Sequence, residues 1–231
     1  MAEGNQAEPS NSIARNLGWL CGIGVTAFAV PFFFSGILHW PRGLFLVPHI
    51  LVIGTETLLY LRWAGFRPRD LAHHWRPGLV LALAASAFVI ASLQRYPTSP
   101  APEGLAFISS LAWVGIAYGG VDALLLNIVP VVMMRSLAFA GIGRRWLRAV
   151  LRGTAALVVS AALTLVYHLG YPEFRGPGVA SPVFGNVVIT ATYVVSGNPL
   201  APLLTHIAMH VGAIEQGLET VPQLPPHEPS P

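Results

Sequence analysis

Apolar residues run along this chain in seven blocks separated by short polar breaks. About 20 consecutive apolar residues suffice for a helix to cross the hydrocarbon core of a bilayer. The blocks lie near Leu17–Leu38, Leu44–Trp63, Gly78–Leu93, Leu105–Met134, Ala149–Leu169, Val183–Ser196 and Leu200–Gly217. They predict an all-α fold, a polytopic integral membrane bundle of about seven transmembrane helices. As a helix the fourth block would measure roughly 45 Å. It is therefore expected to tilt, protrude or break near Gly119-Gly120. The sixth block is short enough for a partial span.

Composition sharpens that reading. Of the 231 residues 54% are hydrophobic and 10% charged, against roughly 25% charged in soluble domains. All 13 basic residues are arginine. With seven crossings, Arg15, Arg62, Arg67, Arg69, Arg76, Arg135, Arg144, Arg145, Arg148 and Arg152 fall on one side. Only Arg42, Arg95 and Arg175 fall on the other. The positive-inside rule then puts the N-terminus in the cytoplasm of a multi-pass protein of the cell's inner (plasma) membrane. The arginines form no basic stripe, so the bilayer is the expected partner and nucleic acid is not. The single cysteine, Cys21, excludes an internal disulfide. Residues 1–16 form a polar N-terminal segment, 17–217 the membrane domain, and 218–231 a proline-rich tail, "VPQLPPHEPSP" at its end, expected to be disordered. The first block reads as a retained helix rather than a cleaved signal.

Ionisable groups inside spans are costly and are candidate functional residues by default. Here they are His49, Glu56, Asp122, His168, His206 and His210, with Glu215 near a helix end. His206 and His210 share a helix face by their i,i+4 spacing. A lone membrane histidine is ordinarily a hydrogen-bonded packing residue. Four such groups on three helices of the C-terminal half point instead to one shared polar cavity. His49 and Glu56, seven residues apart, are expected to satisfy each other or an arginine. His73 and His74, in "RDLAHHWRPG", are expected to be solvated.

The order of these features resembles the CPBP family of intramembrane proteases, the CAAX prenyl endopeptidases and bacteriocin-processing relatives. That family carries EExxxR, then FxxxH, then HxxxN on successive helices. "DALLLN" (Asp122 to Asn127), "TLVYH" (Thr164 to His168) and "HIAMH" (His206 to His210) occupy those positions. "AGFRPRDLAHHWRPGLVLALA" and "VVSGNPLAPLLTHIAMHV" look like the flanking family loops, so the resemblance covers Arg62 to Ile214. Only His168 and His206 are identical to the pattern. Ala123 stands for the second glutamate, Asn127 for the arginine, Thr164 for the phenylalanine and His210 for the asparagine.

The resemblance implies an endopeptidase acting on a membrane-anchored peptide or protein. Asp122 would be the general base for a water, His168 its partner, and His206 and His210 would face the oxyanion. An aspartate is a methylene shorter than a glutamate, and a displacement of about an ångström can cost about a hundredfold in rate. Two other readings stay open. Three imidazoles and a carboxylate suit zinc or another divalent metal with an activated water. Alternatively, the fold persists without catalysis, as a scaffold or accessory subunit of a membrane protein complex. Haem has no attachment motif to support it, and di-iron desaturase chemistry needs about twice as many histidines.

Overall fold

Six of the apolar blocks form helices long and apolar enough to cross a bilayer. They are α1 (Ile13–Ile37), α2 (Arg42–Trp63), α3 (Trp75–Leu93), α4 (Gly104–Ser136), α5 (Arg145–Leu169) and α6 (Pro177–Ser196). A seventh helix, α7 (Leu200–Gln216), follows directly. The computed structural model describes residues 9–137, 143–218 and 224, and no strand occurs among them. The protein is an all-α polytopic bundle. Helix begins at Pro9, so part of the polar N-terminal segment extends α1. Most of the tail expected to be disordered lies outside the described residues.

Hydrogen bonds at the two ends of the bundle fix the alternation of the helices. At the arginine-rich end, Tyr60 and Ser136 both donate to Asn16 Oδ1 and tie α1, α2 and α4 together. At the same end Asn198 Nδ2 donates to the carbonyls of Leu71 and His73, while its Oδ1 accepts the Leu200 N–H at 2.7 Å. That carboxamide satisfies one of the orphan donors at the start of α7. Gly78 must lack a side chain here, because a Cβ would sit 2.7 Å from Asn198 Oδ1. At the opposite end, the Ser99 N–H donates to Gln216 O, and Arg42 donates to the carbonyls of Leu218 and Leu224 at 2.8 Å each. So α7 joins the two ends although it is only 17 residues long, about 25 Å. The short crossing is α7; α6, the block expected to be partial, is a full 20-residue span.

Burial ranks the helices. In α4, 72% of the apolar window is buried, against 17% for α3 and 44% for α2. The fourth helix is thus the central post of the bundle. It does not break at Gly119-Gly120. Its backbone instead widens into π-helix at Leu111–Tyr118 and Leu124–Ile128. Pro130 explains the second of these. The Leu126 carbonyl would pair with the N–H of residue 130 in an α-helix, and proline has none. Leu126 O accepts instead from Ser160 Oγ at 2.6 Å and Asn186 Nδ2 at 3.3 Å. Freed backbone groups in a membrane helix have to be re-satisfied in this way.

Candidate functional site

Asp122 and Asn127 are five residues apart, and a regular α-helix would turn them about 140° from one another. The π stretch Leu124–Ile128 between them widens the turn, and both side chains reach α7. Because α4 and α7 run antiparallel, Asn127 meets His206 and Asp122 lies beside the later histidine as well. Asp122, His206 and His210 each present one donor atom, and the three atoms lie within 4.8 Å of one another. All three residues are buried. Gly119 makes this approach feasible, since a Cβ there would stand 2.9 Å from His210 Cδ2. The glycine that was expected to break the helix in fact lets α7 pack against it.

Beneath the cluster lies a closed polar network. His206 Nδ1 is 2.9 Å from Asn127 Oδ1. Asn127 Nδ2 donates to Thr190 Oγ1 at 2.8 Å and to Asn186 Oδ1. Asn186 Nδ2 in turn donates to Ser160 Oγ at 2.8 Å and Thr164 Oγ1 at 2.6 Å. With its amide nitrogen committed to acceptors, Asn127 can only accept through Oδ1. His206 therefore carries its proton on Nδ1, and the Nε2 lone pair is left for the cavity side. His168 is set the same way: its Nδ1 is 2.8 Å from the Thr164 carbonyl, which can only accept.

Asp122 has a partner that the sequence reading assigned elsewhere. His49 Nε2 donates to Asp122 Oδ1 at 3.0 Å, with both side chains buried. Tyr167 donates to Oδ2 at 3.4 Å and is itself bonded to Tyr118 and Tyr171, each at 2.8 Å. The expected pairing of His49 with Glu56 does not occur. Glu56 faces α1, where Oε1 lies 3.3 Å from the position a Cβ on Gly22 would take and the side chain bonds Thr26. The π stretch His49–Ile53, next to Pro48, separates the two residues' faces. Likewise Asp122 is bonded to His49 and Tyr167, with Tyr118 also reaching its carboxylate, and among the described residues none of these bonds goes to His168. Sequence reasoning missed the three tyrosines. The signal available was Tyr167 and Tyr171 at i,i+4 spacing around His168.

The cluster opens onto a cavity of about 320 Å³, lined by Tyr118, Asp122, His168, His206 and His210. The four ionisable groups expected to share a cavity, Asp122, His168, His206 and His210, therefore line one space, while Asn127 sits behind His206 as its support. The cavity reaches the arginine-poor end, where Arg95 and Ser181 line it, and its side wall is made by Phe88 of α3 and Phe184 of α6. Both phenylalanines are exposed, Phe88 at 56% and Phe184 at 67%. His73 and His74 lie away from it, exposed, in the loop between α2 and α3. No family model matches this chain, and no curated protein or solved structure matches it.

Proposed function

We propose that the protein is an intramembrane hydrolase of the CPBP type that cuts peptide bonds in membrane-anchored substrates. The observation that carries this reading is the buried meeting of Asp122, His206 and His210 at the wall of a cavity large enough for a peptide segment. Asp122 is the base for an attacking water, held in place by His49 and Tyr167 rather than by His168. The unprotonated Nε2 of His168 faces the same space and can take a proton from it. His210, one turn after His206 on α7, is the ring that can donate to the oxygen that becomes negative in the tetrahedral intermediate, since the Nε2 lone pair of His206 can only accept. A substrate segment enters from the bilayer between Phe88 and Phe184. The arginine asymmetry favours a cytoplasmic N-terminus, and on that reading the cavity mouth at Arg95 faces the opposite side. The substrate is then a membrane-anchored polypeptide presented from the outer half of the bilayer.

The test labels new peptide N-termini in cells making the wild-type chain, Asp122→Asn or His206→Gln. The expected result is a set of membrane-protein termini present with wild type and lost in both variants. Identical terminal profiles in all three would remove the peptidase. A co-purifying membrane complex that is lost only in the variants would assign the chain a scaffold role instead.

A further inference from the structure

We infer that Asp122, His206 and His210 bind one divalent transition-metal ion of the zinc class, with the remaining coordination position open to the cavity. The inference goes beyond the peptidase reading and holds for a non-catalytic protein too; in a metal-loaded peptidase Asp122 would be a ligand, and the ion would take over its part in activating the water. The donors suit such an ion: two imidazoles and a carboxylate are borderline ligands, without the thiolates that favour copper(I) or the all-oxygen shell that favours calcium and magnesium. The distances allow it. Tetrahedral ligand atoms around zinc, with bonds of about 2.0–2.1 Å, stand about 3.4 Å apart, and the three donor atoms here lie within 4.8 Å of one another. Side-chain adjustments alone would close the shell.

The surroundings match what a metal site needs. A ligating histidine almost always donates its second ring N–H to an oxygen, which fixes its tautomer and its orientation. His206 does so through Nδ1 to Asn127 Oδ1 at 2.9 Å, and Asn127 is held in turn by Thr190. The carboxylate is likewise anchored, by His49 Nε2 at 3.0 Å and Tyr167 OH at 3.4 Å. Each of its oxygens accepts one of these bonds and retains lone-pair capacity for an ion. Gly119 clears the space that the His210 ring occupies. A cation at this point also answers the electrostatic problem of a carboxylate among buried helices. His168 lines the cavity but stands outside the ligand set.

The experiment uses the full chain without a polyhistidine tag, purified in detergent, stripped with chelator and titrated with Co²⁺ and then Zn²⁺. The expected result is one Co²⁺ per chain with the intense visible d–d absorption of a four- or five-coordinate nitrogen/oxygen site, bleached by Zn²⁺. His206→Ala and His210→Ala should abolish that spectrum, and His49→Phe should weaken affinity by about 10–100-fold, as loss of an outer-shell partner does. The double variant His73→Ala/His74→Ala should bind as wild type does. Wild-type protein that takes up no stoichiometric Co²⁺, or only with the weak spectrum of an octahedral hydrate, overturns the inference. So does a signal that survives His206→Ala or disappears with the exposed His73–His74 pair. The wild-type spectrum decides without relying on the folding of any variant.

Discussion

Two polar regions sit within two turns of each other on α4, and they are built on opposite terms. Around Asn127, donors and acceptors are matched: Asn186 bridges Asn127, Ser160, Thr164 and the Leu126 carbonyl, and Ser160 meets Thr190 at 2.7 Å. This region joins α4, α5 and α6 and is buried, touching the cavity only at its edge through Asn186 and Leu126. Around Asp122, the carboxylate accepts from His49 and Tyr167 and is reached by Tyr118, while His206 and His210 turn ligand-capable atoms towards it beside a cavity. The contrast separates two uses of polarity in a membrane interior. A network that completes itself holds helices together; a cluster that keeps coordinating capacity is held in place for something else. His206 is the joint between the two, with Nδ1 committed to the network and Nε2 to the cluster.

Substitutions should divide along the same line. Asn186→Leu should have the largest effect on stability. It removes one accepted bond and the two donors that Nδ2 shares among three oxygens, and interhelical bonds in membranes average about 0.6 kcal/mol each, so a loss of about 2 kcal/mol is expected in SDS-titration unfolding. A loss below about 0.5 kcal/mol would mean that the network is not what holds α4, α5 and α6 together. Gly119→Ala comes next. Its methyl group would press on His210 Cδ2 at 2.9 Å and on the Ile207 backbone at 3.4 Å, and overpacking of this kind costs about 1–3 kcal/mol. It should also displace the ring and weaken Co²⁺ binding, so unchanged binding would mean that the His210 ring position does not matter.

The helical architecture was legible in the sequence because hydropathy over twenty residues survives small errors in boundary. Convergence of Asp122, His168, His206 and His210 on one cavity was legible too, since each is expensive to leave in lipid. What misled was backbone geometry. The i,i+7 pairing of His49 with Glu56 assumes a regular α-helix, and the π stretch at His49–Ile53 invalidates it. Asn127 occupied a motif position, but the π turn that brings it to α7 leaves little trace beyond Pro130. Gly119-Gly120 looked like a hinge because glycine weakens a helix, yet Gly119 is required by the approach of His210. Local propensity cannot distinguish a glycine that bends from one that makes room.

Thr164→Val should show a smaller effect than either. Valine keeps the shape but loses the acceptor for Asn186 Nδ2 and the donor to Ser160 O. The expected cost is about 1 kcal/mol, with Co²⁺ affinity unchanged. A large loss of metal binding in this variant would blur the boundary between the two regions.

Asp122→Asn should show the smallest effect on stability, and with the opposite sign. The amide retains the carboxylate's shape: its Oδ1 can still accept from His49 Nε2, and its nitrogen can donate to the Tyr167 oxygen where Oδ2 had accepted. What is removed is the burden of a carboxylate among apolar helices, where an ionisable group costs several times what a neutral one does. Groups retained for function commonly cost stability in this way. Metal-free Asp122→Asn protein should therefore unfold at the same or slightly higher SDS fraction, a gain of up to about 1 kcal/mol, while losing the Co²⁺ spectrum and substrate cleavage. If Asp122→Asn instead loses as much stability as Asn186→Leu, Asp122 belongs to the structural network, and the distinction between the two regions fails at its central residue.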